Sequence, residues 1–390
     1  MAGAGPVGGV AAYILAQRGI EVVVCETGVD CAQDLRASTF HPPTLEMLDE
    51  LGIANDIIQQ GLKAPVYHWR ERETGAVLDF DMSEIADRTR YLFRVQCEQF
   101  HLARMLANRL DAHPKADMRF HHRVIWFNQD ADGVDIAVET PLEIKRIRAD
   151  YLIGADGASS IVRKWLGVSF EGFTYPEKFL CLSTETPIED YLPNLAYVNY
   201  VSDPKEWLVL LRVPSVWRVL VPASEEQDDS YLLSDAKKDK VFGGLLGNGK
   251  VETKHRTIYR VHQRVVEKFN HGRVFLIGDS AHLNNPLGGF GMNSGIHDAW
   301  NLCRKMVSAY EGDGGPELFD QFDRQRRAIT HSFVQTQTKQ NMELMKVSPE
   351  ASQQKLKERM ERLHANPQER RDYLLHQSMI KSIDDEREIK

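Results

Sequence analysis

The chain lacks the features that mark several protein classes. No apolar run approaches the ~20 residues that a membrane-spanning helix needs. No basic segment followed by an apolar core stands at the N-terminus, so no secretory signal is read there. Cysteine is scarce, five in 390 residues, and Cys25, Cys31, Cys97, Cys181 and Cys303 form no C-x-x-C pair. Neither a zinc knuckle, a disulfide framework nor any other metal site is expected. Positive charge is in deficit: 48 Lys plus Arg against 56 Asp plus Glu leave a net charge of −8, unsuited to general nucleic-acid binding. Internal repeats and low-complexity linkers are also missing. What is present is 42% hydrophobic and 27% charged residue, the balance of a globular chain long enough for one large or two ordinary domains. The expectation is a reduced, cytoplasmic protein.

The early segments read as helix and buried strand in turn. Val7 to Gln17 is small and apolar, with Gly19 as its stop, and Ile20 to Cys25 is a β-branched run suited to a buried parallel strand. Helices are expected over Pro43–Leu51 and Glu98–Leu110, and a hairpin over Trp69–Asp81 with Thr74-Gly75 at its turn. From Met118 the period becomes two, so that Met118–Phe127, Val134–Glu139 and Ile144–Ile153 read as a meander. Residues 178–222 are strand-like and aromatic. Glu225–Lys240 is a charge run expected on a solvated face. Val274–Ile277 is one more buried strand, and the chain is helical from Gly288, with Pro349 and Pro367 as breakers. This order predicts an α/β nucleotide-binding domain with a sheet-based domain inserted.

Three fingerprints carry the chemistry. Gly3-Ala4-Gly5-Pro6-Val7-Gly8 fits G-x-G-x-x-G. Its first glycine permits a tight turn, its second lets backbone approach a pyrophosphate, and its third lets helix and strand pack closely. Glu26, at the end of the next strand, is placed to accept the ribose hydroxyls. Only Met1 and Ala2 precede Gly3, so the strand that should lead into the turn is missing. A misassigned start, a truncation and substitution by another segment are the alternatives. The second fingerprint is Asp156-Gly157 with Ser160 and Arg163, at the end of an apolar strand. The third is Gly278-Asp279-Ser280-Ala281-His282, continuing through Pro286 to Gly288, Gly289, Gly291, Met292 and Asn293. A carboxylate at a strand end, Asp279, can accept bonds from a ribityl chain. A glycine-rich helix start lets backbone meet a ring system and presents partial positive charge to it.

Together the three resemble the FAD-dependent aromatic hydroxylases of the para-hydroxybenzoate hydroxylase family, the group A flavoprotein monooxygenases. The likeness runs from Gly3 to about residue 345. It implies a Rossmann-like FAD-binding domain that is discontinuous (1–62, 84–175 and 259–345), an inserted substrate sheet (63–83 and 176–258) and a helical C-terminus (346–390) that caps the fold or makes a homodimer. It further implies that Arg36 contacts the FAD phosphates and Gln96 the cofactor. Asp156 and Gly157 would serve FAD and the reductant, Asp279 the ribityl chain, and Pro286 with Gly288–Asn293 the isoalloxazine. The implied reaction is oxygen insertion into an aromatic, phenolic small molecule through a flavin C4a-hydroperoxide, with NADH or NADPH as reductant and O2 as co-substrate.

Bland readings stand beside these. Ser160 reads as a helix cap, His282 as a packed histidine, Asp298 and Glu317 as helix-face charges, and the cysteines as small buried hydrophobes. Tyr197, Tyr200 and His282 are the candidates for a proton relay to the phenol. Arg212 and Arg218 are candidates for an acidic substrate, although Pro214-Ser215 places a turn between them. The competing functions are a flavin-dependent reductase on the same fold and an inactive, truncated FAD-binding protein. A halogenase would show W-x-W-x-I-P, which is absent.

Overall fold

The computed structural model describes residues 1–33, 37–203, 206–247, 250–345 and 350–390. Its α/β part is built on the first helix, Pro6–Gln17. Glycine and alanine dominate that helix, so it is buried on nearly every side. It packs against the long helix Phe290–Glu311 and against Gln99–Asp111. Val22–Cys25 pairs parallel with Ala116–Arg119, and Leu152–Gly154 pairs parallel with Val274–Leu276. Met118 therefore belongs to this layer. The meander is formed by Arg123–Gln129, Val134–Glu139 and Ile144–Ala149 alone.

Between the two strand pairs, Ala2 is the sole bridge among the described residues, parallel to Cys25 on one side and to Gly154 on the other. Ala2 N–H donates to Ile153 O at 2.9 Å, Cys25 N–H to Met1 O at 2.9 Å, and Gly3 N–H to Cys25 O at 2.8 Å. Ala2 thus holds the position between the two pairs, and no other described strand lies there. Behind Met1 the two strand edges line a slot of about 950 Å³, walled by Val22, Val23, Leu152, Ile153 and, below them, Met306 and Phe319.

The second layer is an eight-stranded sheet. Its order is His282–Leu283, His255–Val266, Phe170–Thr184, Trp217–Ser224, Leu208–Arg212, Val198–Ser202, Val66–Glu71, Val77–Asp81. Strand alternation gives it two distinct faces. Leu180, Leu182, Leu208, Leu210, Val219 and Val221 pack on one side with Val241, Phe242 and Leu245 of the helix Asp235–Leu246. Phe179, Cys181, Val209, Leu220 and Val261 pack on the other with Leu287 and Met342. The charge run 225–240 is less solvated than its composition suggests. Lys237 and Lys238 bury their stems in that helix–sheet contact and reach Glu206 and Asp239 with their ammonium groups.

The tail forms helices Glu350–Ala365, Pro367–Gln377 and Ile380–Glu388. Pro367 opens its helix, where a missing N–H costs nothing; Pro349 lies outside the described residues. Met360, Leu374 and Ile380 pack with Tyr67 and Phe80 at the sheet edge, so the tail caps its own chain. No helix among the described residues is long and apolar enough to cross a membrane, and all five cysteines are buried and free.

Candidate functional site

The first fingerprint meets the second at Gly3 and Gly8 and the third at Val7. A side chain at Gly3 would put its Cβ 2.5 Å from Ala155 O, and one at Gly8 would put it 2.2 Å from Gly3 O. Gly3 also has φ +96°, so only glycine holds this crossing. At Gly278 and Gly295 a Cβ would press on the Val7 methyls at 3.1 and 2.6 Å. Gly5 is different: nothing lies within 4 Å of its Cβ position, so the turn is open on that side. Gly5 caps the first helix without a side-chain bond, and Pro6 follows at the first helical position. Unpaired N–H groups of that first turn face the opening. Glu26 is half-buried and braces the turn, accepting from Ala4 N–H at 2.8 Å and Gly28 N–H at 2.9 Å. Arg36 lies outside the described residues.

The Asp156 turn is spent largely on itself. One carboxylate oxygen accepts from Ser160 Oγ–H. The other accepts from Ile161 N–H at 2.7 Å and Val162 N–H at 3.1 Å. Ser160 caps the helix Ile161–Leu166 by accepting from Arg163 N–H at 3.0 Å. Gly157, at φ +77°, faces open space. Arg163 joins this turn to the third fingerprint by donating to Ser280 O at 3.0 Å and Ala158 O at 2.6 Å. Asp279 stands exposed on the short turn Gly278–Ser280, at the end of the strand Val274–Leu276.

The glycine-rich loop beyond it is held from below. Gly288 and Gly289 have φ of +97° and +71°. Asn293 Nδ2 donates to Thr39 O at 2.8 Å and Gly289 O at 2.6 Å, while Asn293 Oδ1 accepts from His41 N–H at 3.0 Å. Gly289 is the cap of the helix Phe290–Glu311 and makes no side-chain cap bond, so that helix start presents open N–H groups. Pro286 is exposed, Gly291 half-buried, and Met292 lies in the core. Gln96 sits fully buried on the neighbouring strand Arg94–Gln96. Its Oε1 accepts from Thr39 Oγ1–H at 3.0 Å, and Thr39 itself underlies Gly289. Gln96 Nε2 is buried without a partner. An orphaned buried amide beneath the glycine-rich loop, with an uncapped helix start beside it, fits a large polar cofactor with an amide-bearing ring, and the open first turn at Gly5 fits its phosphates.

The remaining candidates separate. Arg218 lies on the same sheet face as Leu220 and is 2% exposed, donating to Ser38 Oγ at 3.3 Å and to Cys181 Sγ at 3.7 Å. Arg212 points to the opposite face, over the Trp217 ring, because the hairpin 213–216 reverses the chain between them. It is thereby removed as a partner to Arg218. Tyr197 is exposed at the strand end; Tyr200 is half-buried with an edge toward the Tyr67 ring. His282 is packed: it stacks on Phe269 and its Nε2 meets Asp298 Oδ2 at 2.7 Å. Asp298, expected on a helix face, is fully buried. The stretch Gly289–Ala299 carries no other acid and is small and apolar around it, which is the signal of an all-round buried helix segment. His41 and Asn341 also border the loop, and Arg94 lies near His41. Sequence reading missed them because each comes from a distant element with no periodic mark.

The fold and these turns match known proteins. A family model described as the FAD binding domain matches residues 1–337. The para-nitrophenol 4-monooxygenase of Pseudomonas sp. (strain WBC-3) is 30% identical over 354 residues, covering 90% of this chain and 87% of that protein. The 6-hydroxy-3-succinoylpyridine 3-monooxygenase HspB of Pseudomonas putida is 30% identical over 348 residues, covering 87% of this chain and 86% of that one. The crystal structure of p-nitrophenol 4-monooxygenase PnpA from Pseudomonas putida DLL-E4 superposes with a TM-score of 0.91 at 26% identity, covering 98% of this chain and 97% of the other. With its glycine turn packed through Val7 against the Asp279 turn and against the helix that follows the glycine-rich loop, this chain belongs to the FAD binding domain family and is an FAD-dependent aromatic monooxygenase that draws its electrons from NAD(P)H.

Proposed function

We propose that the chain hydroxylates a phenol carrying an acidic or strongly electron-withdrawing polar group, held between the sheet and the glycine-rich loop. The observation that carries this reading is the packing of Leu287, from that loop, among Phe179, Trp207, Val209 and Leu220 of the sheet, with the buried Arg218 on the same face. An apolar wall of this kind takes an aromatic ring, and one desolvated guanidinium recognises one anionic group on it. The names of the para-nitrophenol and 6-hydroxy-3-succinoylpyridine monooxygenases fit a small hydroxylated ring that carries a polar, electron-withdrawing substituent.

The division of labour follows from the chain's own groups. Gln96 Nε2, the N–H groups of the first helix turn and of the Gly289 helix start, Gly157 and Asp279 would hold the FAD. Bound and reduced by NAD(P)H, it supplies the oxygen-activating chemistry. The sheet face excludes water and orients the ring. Arg218 hydrogen-bonds Tyr259, so a phenolic hydroxyl stands next to the buried cation, and Tyr200 packs against the same apolar cluster. Holding the substrate as phenolate raises its nucleophilicity, a task separate from recognition of the acidic substituent by Arg218.

The test is oxidation of NADH and NADPH in air by the flavin-loaded protein with a matched series of phenols, with ¹⁸O₂ to trace the inserted atom. The reading requires product carrying one labelled oxygen. It also requires that Arg218→Met raise KM at least about tenfold for phenols with an acidic substituent and change it little for neutral ones. Equal loss for both series would remove Arg218 from substrate recognition.

A further inference from the structure

The C-terminal segment is joined to the glycine-rich loop and to the Asp279 turn by three separate ties. Gln377 Nε2 donates to Asn341 Oδ1 at 2.8 Å, and Asn341 Nδ2 donates to Leu287 O at 3.3 Å. Met379, fully buried, packs with Phe290, the first residue after the loop glycines. The third tie is ionic and runs through the core. Glu386, on the helix Ile380–Glu388, accepts from Asn301 Nδ2 at 2.7 Å on one oxygen and from Arg326 Nη1 on the other. Arg326 is fully buried. Its Nε donates to Asp298 Oδ1 at 2.7 Å, and its Nη2 to Ser294 O and Oγ, both at 3.2 Å. Asp298 Oδ2 then accepts from Gly278 N–H at 3.0 Å and faces His282 Nε2.

Gly278 is the residue before Asp279. A buried carboxylate held on both oxygens by charged and backbone donors therefore fixes the turn that presents Asp279, and its other end is anchored by a helix at the chain's terminus. Burial alone would raise the Asp298 carboxyl; His282 and Arg326 beside it hold it below the ordinary carboxylate range, so it stays charged. Breaking such a network at one member leaves the others buried and unpaired, which makes it behave as one unit.

We propose that Asp298, Arg326 and Glu386 are positioning residues for the flavin, and that docking of the helix Ile380–Glu388 and binding of FAD are thermodynamically coupled through them. This rests on the assignment of Asp279 to the flavin. Coupling is reciprocal: if the docked helix strengthens flavin binding, flavin must strengthen docking of the helix by the same factor. A merely structural helix would not do so.

The experiment is hydrogen exchange of the wild-type chain with and without saturating FAD, read over residues 380–388. Beside it, FAD dissociation constants are measured by fluorescence for wild type, Glu386→Gln, Asp298→Asn and Asp279→Ala, with apo-protein melting as the folding control. FAD is expected to slow exchange in 380–388. Glu386→Gln and Asp298→Asn are expected to weaken FAD within the about 5- to 150-fold range of such couplings, non-additively when combined. Unchanged exchange in 380–388 on FAD binding overturns the coupling. So does Glu386→Gln that binds FAD as wild type does. If instead Asp279→Ala retains FAD, the assignment of the turn fails, and that result is separate from either of these.

Discussion

His41 Nε2 lies 2.8 Å from the carbonyl oxygen of Gly288, across 247 residues of sequence. The ring is fully buried and stacked on Phe290 at 5.4 Å. Burial first, and then the Arg94 guanidinium, hold its pKa well below the ordinary histidine value, so the ring is neutral and its Nε2–H donates to the carbonyl. Gly288 sits at positive φ, a conformation the loop keeps only while its carbonyls have donors. His41→Ala leaves that carbonyl buried and unsatisfied. The expected loss is about 1–3 kcal/mol in the melting of the apo-protein, with weaker FAD binding. An unchanged melt would show that water replaces the imidazole.

Two buried histidines give a pH dependence with a definite sign. His297 is pushed down to about 3, chiefly by burial and then by Arg326, and His41 moves the same way. Unfolded, each takes a proton near pH 6.5; folded, neither does. Their contribution is therefore fully present above about pH 6.5 and is lost as pH falls below it, by up to about 1.4 kcal/mol per pH unit for each ring. Urea unfolding between about pH 7.5 and pH 5 should show stability falling toward acid. His297→Gln should reduce that slope by about one proton, while keeping a partner for Thr44 Oγ1, which lies 3.0 Å from the ring. A slope unaffected by the substitution would mean that His297 titrates in the fold as it does outside it.

Asp156 and Asp279 look alike in sequence and differ in the fold. Both end an apolar strand, but Asp156 gives its oxygens to Ser160, Ile161 and Val162, whereas Asp279 is exposed. Asp279→Ala should abolish retention of FAD through purification. Asp156→Ala should cost about 1 kcal/mol of stability, the worth of a lost helix cap, and change FAD affinity less. A yellow Asp279→Ala protein at wild-type stoichiometry would refute the first assignment. Colourless Asp156→Ala with wild-type melting would refute the second.

That contrast shows what was legible in the sequence. The glycine turn could be read because backbone crossing imposes glycine at fixed spacing: Gly3 and Gly8 have no room for a Cβ. The glycines at 288 and 289 were legible for the same reason. The turn at Pro214-Ser215 was legible, but the opposite facing of Arg212 and Arg218 depends on the strand register and was not. Asp298 was misread because an acid on a helix is exposed by default; only its partner Arg326, 28 positions away, makes burial tolerable. His41 and Asn341 act on backbone carbonyls of a distant loop, a relationship set by tertiary packing with no local periodicity.

The slot behind Met1 gives the last prediction. The strand Leu152–Gly154 uses Leu152 N–H and Gly154 C=O toward Val274–Leu276, so by alternation Ile153 N–H points into the slot. Val22 N–H bonds Lys115 O, so Val23 N–H points in from the other side. The Met1 ammonium stands where a ladder N–H would be, donating to Val23 O at 2.8 Å, and burial lowers its pKa from the ordinary amino-terminal value. Four or five apolar β-branched residues added before Met1 would replace that buried amino group by a peptide N–H and cover two strand edges. Each buried Val or Ile gives about 1.5–3 kcal/mol, against about 1–2 kcal/mol for ordering its backbone. The extended protein should melt higher and carry more flavin per chain, because the added strand leads straight into the Gly3 turn. An Asp placed in the middle of the added segment should erase the gain. Equal melting and equal flavin content with and without the extension would show that the slot closes on itself and that Met1–Gly3 alone suffices to hold the turn.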